Sequence, residues 1–408
     1  MPENTQREPW QQFLKRPAFS SLPPDNRKYI LLFCATTFFF WTALYLYVPI
    51  LPVYTRSLGA NLSMVGTVVA AYAIPQVLFR IPVGVLFDAM TKRKLLLALG
   101  VLMAALGALG LGFAPSPWFL FLARIVTGIG ATTWVTFTVF FTAFYPEGSV
   151  RQAIGLINFV QGTAVLTATF CGGIIAEVWG AGFTFWGATG LGVVALMALL
   201  SIREPAVAHV ESASWRRFTL VATHPQLLLV SFMGILAQFA NWAGLFGFIP
   251  VYAVQIGASE ADLGIITMLA LASGAVVALA VASIARRWGN VFTIVLGAIL
   301  LGSTTLIVPL IHDVSALEIV MVVNGLGRGI LATILMSLSI QAVAPQQRAT
   351  AMGVYQALYA VGMLLGPLIS GHLADSLGLT VVFYLSAAIC LLLAGTAFLL
   401  RRTRQGQS

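Results

Sequence analysis

Twelve long apolar stretches occupy almost all of this 408-residue chain. A stretch of roughly 20 apolar residues, rising ~1.5 Å per residue, is what crosses about 30 Å of hydrocarbon. They run over 29–53, 62–88, 95–113, 118–143, 151–176, 182–202, 227–253, 263–284, 292–310, 315–342, 350–374 and 380–400. In lipid each segment must satisfy its own backbone hydrogen bonds, so the expected fold is an all-α membrane protein of twelve transmembrane helices. Eleven or thirteen is the alternative, because the breaks at Ala114-Pro115-Ser116-Pro117 and Ile311-His312-Asp313 are short. Composition agrees: 59% hydrophobic residues, 9% charged residues and a mean hydropathy of +0.94 lie outside the range of soluble domains.

Charge gives the orientation. Eighteen of the 22 Lys and Arg residues fall in the termini and alternate loops: Arg7, Lys15, Arg16, Arg27, Lys28, Lys92, Arg93, Lys94, Arg151, Arg203, Arg216, Arg217, Arg286, Arg287, Arg348, Arg401, Arg402 and Arg404. The other loops hold Arg56 alone. The positive-inside rule then puts both termini in the cytoplasm of a multi-pass inner-membrane protein. The net charge of +9 is accounted for by topology and by attraction to anionic lipid, without a nucleic-acid partner. No small-residue cleavage site follows a short apolar region, so the first span is not expected to be a removed signal peptide. Cys34, Cys171 and Cys390 sit in apolar context, and His209, His224, His312 and His372 show no ligand spacing, so neither a metal nor another cofactor is expected.

The longest polar connector, 203–226, separates six spans from six. The expected organisation is a cytoplasmic segment 1–28, a bundle 29–202, the linker 203–226, a second bundle 227–400 and a tail 401–408. In the first segment Trp10, Phe13, Leu14 and Phe19 among basic residues either lie along the interface or belong to a floppy tail. The bundles repeat each other. Gly173-Ile-Ile-Ala-Glu177 matches Gly371-His-Leu-Ala-Asp375 at an offset of 198 residues, Arg151…Gly155 matches Arg348…Gly353, and Trp179-Gly180 matches Leu377-Gly378. Parallel copies suit a central pathway that opens to one side and then the other.

Between spans 2 and 3 the chain reads Gly84-Val-Leu-Phe-Asp88-Ala-Met-Thr-Lys92-Arg93-Lys94. This glycine, aspartate and basic cluster resembles the signature of the major facilitator superfamily, and the resemblance covers nearly the whole chain. It implies two six-helix bundles and secondary transport by a monomer, with a small-molecule substrate and membrane lipids as partners. Asp88 is suited to a cytoplasmic latch, since a carboxylate there can accept from helix ends and pair with basic side chains. The alternative is a hydrated loop carboxylate. Thr91 replaces the usual glycine, and the matching tract Ala285-Arg286-Arg287-Trp288-Gly289-Asn290 has no aspartate.

None of the thirteen carboxylates lies deep in a span, whereas Arg80, Arg124 and Arg328 do. Such arginines must face water, pair or snorkel. Arg124-Ile-Val-Thr-Gly128-Ile-Gly130 resembles the span 4 motif of the proton-driven drug antiporters in the same superfamily. It implies that Arg124 organises substrate or polarises a carboxylate; bracing the bundle through carbonyls is the alternative. Arg80 reads better as a cavity wall. Span 5 departs from that branch, carrying Gly172-Gly173 without proline, while span 11 carries Gly362…Gly366-Pro367…Gly371. These small residues suit close helix approach and hinging.

The resemblance implies a cavity lined by spans 1, 4, 7 and 10. They carry Trp41, Tyr45 and Tyr47; Thr133, Trp134 and Phe137; Gln238, Asn241, Trp242 and Phe246; and Asn324 with Arg328. Aromatic walls with scattered polar groups suit an amphipathic guest. The expectation is export of a small hydrophobic or amphipathic compound against proton entry, with Glu318 and Asp88 as coupling candidates. Uptake of a metabolite or organic anion is the alternative, and a membrane enzyme or lipid-handling scaffold is a further one. No nucleotide-binding loop is present.

Overall fold

Helix formation follows the apolar stretches, but proline and glycine divide them. The computed structural model describes residues 24–90, 92–146, 149–204, 215–341, 343–344 and 347–400. The segment containing Trp10, Phe13, Leu14 and Phe19, residues 205–214 of the central connector and the tail 401–408 lie outside the described residues. Among those described, ten helical segments are long and apolar enough to cross a membrane. The helices are α1 (Pro24–Tyr45), α2 (Leu51–Ser57), α3 (Leu62–Ala71), α4 (Ala73–Ala89), α5 (Arg93–Gly112), α6 (Pro117–Thr132), α7 (Trp134–Thr142), α8 (Val150–Trp179) and α9 (Ala181–Leu200). They continue with α10 (Trp215–Ala222), α11 (Pro225–Ala243), α12 (Ile249–Gln255), α13 (Glu260–Ile307), α14 (Val314–Gln341), α15 (Arg348–Leu377) and α16 (Thr380–Thr396).

Several expected spans are broken, each for a local reason. The first does not run unbroken over 29–53. Pro49 has no N–H to donate, and over 46–50 the bonds tighten to a three-residue spacing, Val48 N–H to the Tyr45 carbonyl and Ile50 N–H to the Tyr47 carbonyl, both 3.1 Å. Tyr72 separates α3 from α4 ahead of Pro75. At Thr133 the N–H and hydroxyl both donate to the Gly130 carbonyl, dividing α6 from α7. A π-helical turn, Gly244–Phe248, joins α11 to α12. The 48-residue α13 is two helices meeting at Gly289, whose φ of 85° and ψ of 163° suit a residue without a Cβ.

Small residues set the packing. In the first part of the chain α1 packs on α8 and α9, and α5 on α6 and α9; in the second, α11 packs on α15, and α13 on α14 and α16. The two parts meet where α3 and α4 lie along α15 and where α8 lies along α13. Large apolar side chains such as Phe159, Leu279 and Leu391 are exposed, as lipid-facing positions require. The chain is a multi-pass membrane protein, all-α over its described residues.

Candidate functional site

Aromatic side chains from both parts of the chain meet edge to face and face to face in one arc. Trp134 of α7 stands T-shaped to Trp41 of α1 at 5.1 Å, and Trp41 lies 5.7 Å from Tyr45. Tyr45 crosses to Phe246 of the π turn at 6.2 Å, and Phe246 packs 4.9 Å from Trp242. Trp242 stacks back on Tyr72 at 5.5 Å and an interplanar angle of 15°. The Arg124 guanidinium then lies 4.5 Å from the centre of the Tyr72 ring. Tyr45 and Trp134 remain half-buried while Trp41, Tyr72 and Trp242 are buried. An arc of this kind offers large apolar faces with polar edges, and a cation at one end.

The three internal arginines differ in how they are held. Arg124 is buried; its Nη1 donates to the Tyr47 hydroxyl at 3.3 Å and to the Thr127 hydroxyl at 3.5 Å. Arg80, also buried, reaches from α4 across to α15, donating to the Gln356 carbonyl at 3.3 Å and the Tyr359 hydroxyl at 3.4 Å. Arg328, at the middle of α14, makes no hydrogen bond to any described residue; the Nε of all three arginines is buried without a partner. It borders a cavity of about 30 Å³ with Gln238, Asn241 and Tyr355, enough for a water.

One end of the bundle is clasped by two matching contacts. Asp375, near the end of α15, accepts from the Leu62 and Ser63 N–H groups at 2.8 and 2.9 Å, capping α3. Glu177, near the end of α8, accepts from the Glu260 and Ala261 N–H groups at 2.9 and 3.4 Å, capping α13. Donors and acceptors are both displaced by 198 residues. Beside each cap a glycine meets a glycine: a Cβ on Gly173 would lie 2.8 Å from the Gly264 Cα, and one on Gly371 would lie 3.1 Å from the Gly66 Cα. Such closeness lets carboxylate and helix end meet directly, and the partial positive charge of the helix end favours the anion.

At the other, basic end the tract 92–94 separates. Lys92 is exposed, and Arg93 is buried with its guanidinium 5.2 Å from the Phe87 ring centre. Lys94 caps α9, its Nζ donating to the Leu200 and Ile202 carbonyls at 2.7 Å, while its N–H donates to Glu204. Gly84 has open space around it. The side chain of Asp88, and Thr91, lie outside the described residues.

Of the expected cavity residues, Trp41, Tyr45, Trp134 and Trp242 come together in the arc, and Gln238 and Asn241 adjoin Arg328. Asn324 does not join them: its amide donates to the Thr304 and Thr305 hydroxyls within the second part of the chain. Glu318 is half-buried beside Asp262 and Asp313, ten residues or about 15 Å of helix from Arg328. The small residues make tight contacts: Gly128 against the Tyr72 carbonyl, Gly130 against Gly100, Gly172 against the Leu46 carbonyl, Gly362 against Ile235 and Gly366 against Phe239. The Pro367 carbonyl faces Gly66. Sequence reasoning missed Tyr72, Gln356 and Tyr359, which lie on helices outside the four expected to line a cavity. The available signal was Tyr72 three residues ahead of Pro75.

Comparison with known proteins fits this architecture. The chain is 23% identical over 365 residues to the uncharacterized MFS-type transporter MJ1560 of Methanocaldococcus jannaschii, covering 86% of this chain and 92% of that one. It is 24% identical over 368 residues to the inner membrane transport protein YajR of Escherichia coli, covering 86% and 79%. The crystal structure of a bacterial homologue of the human lysosomal transporter Spinster, inward-facing and unoccupied, superposes with a TM-score of 0.80 at 15% identity, over 93% of this chain and 98% of that one. The profile of the Major Facilitator Superfamily matches residues 33–317 and 232–408. With helices, clasp and central arc arranged as above, the chain belongs to the Major Facilitator Superfamily and is a transporter of that fold.

Proposed function

We propose that the chain carries a small amphipathic compound by alternating access between two parallel six-helix bundles, 29–202 and 227–400, twelve spans in all. In this reading both termini lie on the cytoplasmic side of the inner membrane. The observation that carries this reading is the aromatic arc, which both bundles build and which lies between a clasped end and the basic end. Rocking one bundle against the other would split the arc and expose it to one side at a time. The division of α13 at Gly289 and the apolar α16 support the twelve-span count. The basic-residue distribution supports the orientation.

Export driven by proton entry follows from the likeness of the Arg124-to-Gly130 tract to the drug antiporters. Asp88 at the basic end and Glu318 at the clasped end are its coupling candidates. A second reading, movement of an organic anion, is favoured by three internal arginines with no described carboxylate as partner.

Proteoliposomes with an imposed pH gradient test these readings, using ethidium and 2-naphthoate as cationic and anionic amphiphiles. Protein-dependent flux of either is the expected result, and flux that survives collapse of the gradient removes proton coupling. Failure of both probes to move faster than in protein-free vesicles counts against amphiphile transport. Cysteine labelling of residues 54–61 from outside and 203–226 from inside tests the orientation.

A further inference from the structure

Charged groups at mid-membrane are costly unless something answers them, and the chain answers two of its three arginines. Arg124 is met by Tyr47, Thr127 and the face of Tyr72; Arg80 is met by Gln356 and Tyr359. Arg328 has no hydrogen-bond partner among the described residues. Its guanidinium leaves α14 where α13 packs tightly against it: a Cβ on Gly274 would lie 3.0 Å from Nη2 and 2.9 Å from the Gly325 carbonyl. Glycine on both helices holds that side shut with backbone. The other side faces Gln238, Asn241 and Tyr355.

The neighbours supply donors for a ligand with an acceptor head, beside one buried acceptor, the Asn241 Oδ1, that has no hydrogen-bond partner among the described residues. The Asn241 amide nitrogen donates to the Gln238 Oε1 at 3.2 Å, which leaves the Gln238 amide N–H groups available as donors. Tyr45 lies within electrostatic reach of both Arg328 and Arg124, so the arc runs past one guanidinium and ends on the other. The pocket and the arc are thus linked through Tyr45, and Asn241 of the one precedes Trp242 of the other on α11.

Resting on the transport reading, we propose that Arg328 is the anchor for the anionic head of the transported compound. The carboxylate, sulfonate or phosphate is held by the planar donor fork of Arg328 and by Gln238, with the apolar body lying along Trp242, Phe246 and Tyr45. The cavity of about 30 Å³ is this head pocket collapsed to the size of a water. A bundle movement that widens it admits the head. Arg124, already engaged, holds the wall in place and is not the anchor.

The test uses full-length protein in zwitterionic-lipid nanodiscs, so that no lipid head group supplies the anion. Binding of 2-naphthoate, 2-naphthamide and 2-naphthylmethylamine is followed by thermal shift and by tryptophan quenching. The expected result is that 2-naphthoate binds about tenfold or more tightly than the amide. Arg328→Gln is expected to erase that preference while leaving amide binding near its original value, and Arg328→Lys to restore it in part. Size-exclusion behaviour of both variants separates loss of the anchor from loss of the fold. Equal binding of acid and amide by the native protein, no binding of 2-naphthoate, or an unchanged preference in folded Arg328→Gln overturns the assignment. So does displacement of 2-naphthoate by phosphatidylglycerol, which would give the site to a lipid. The transport reading fails separately, through absent protein-dependent flux of both ethidium and 2-naphthoate.

Discussion

Glu177 and Asp375 hold opposite parts of the chain by the same means, each accepting backbone N–H groups at the start of a helix to which it has no covalent proximity. The likeness of Gly173…Glu177 to Gly371…Asp375 is thus a likeness of tertiary contact, extending to the glycines they face.

Removing both caps should open that end. A side-chain cap on a helix N-terminus contributes about 1 kcal/mol, so Glu177→Ala with Asp375→Ala should shift the equilibrium by roughly thirtyfold. Spin labels at Leu58 and Ile256 should report a longer, broader distance in the double variant and smaller shifts in each single one. Unchanged distances would make the caps bystanders.

Glycine tolerance should divide along contact lines. A Cβ at Gly172 would collide with the Leu46 carbonyl, whereas one at Gly162 would meet nothing within 4 Å. Gly172→Ala should lose about 1–3 kcal/mol of stability and Gly162→Ala almost none. Thermal denaturation in detergent distinguishes them.

Arg124→Ala should remain folded but lose gradient-driven flux, because Tyr72 and Tyr47 lose the cation that orders them. Arg124→Lys should recover only part, since lysine keeps the charge without the planar fork. Flux and size-exclusion measured on the same preparations decide this. Normal transport by a folded Arg124→Ala protein removes Arg124 from the mechanism, and loss of folded protein assigns it to bracing.

Asp88→Asn should slow transport several-fold with insertion intact, given its place ahead of Lys92, Arg93 and Lys94. Exchange rates equal to the native protein's would deny it a latch role.

Hydropathy made the apolar segments legible, and the 198-residue repeat contains Glu177 and Asp375 without showing that they cap helices. Both are properties of the chain taken locally. The breaks at 46–50, Tyr72 and Thr133 were harder, because proline or a threonine hydroxyl interrupts a helix without interrupting its hydrophobicity. Rotational phase was harder still. Nothing in the order of residues tells Asn324, which turns to Thr304 and Thr305, from Asn241, which turns to Gln238. Likewise Arg124 and Arg328 are both arginines in glycine-rich helices, and only the neighbouring helices decide which is answered.

The π turn at 244–248 joins two places otherwise far apart in role. Phe246 lies in the aromatic arc, and two residues later the Phe248 ring reaches to within 3.1 Å of where a Gly371 Cβ would stand. A regular α-helix sets residues i and i+2 roughly 200° apart, and the wider π turn changes that angle. The aromatic arc and the Gly371 crossing therefore bear on one five-residue turn. A change at Phe246 should therefore be felt at the clasped end: Phe246→Ala should shift the Leu58–Ile256 spin-label distance, and an unchanged distance would separate the two surfaces.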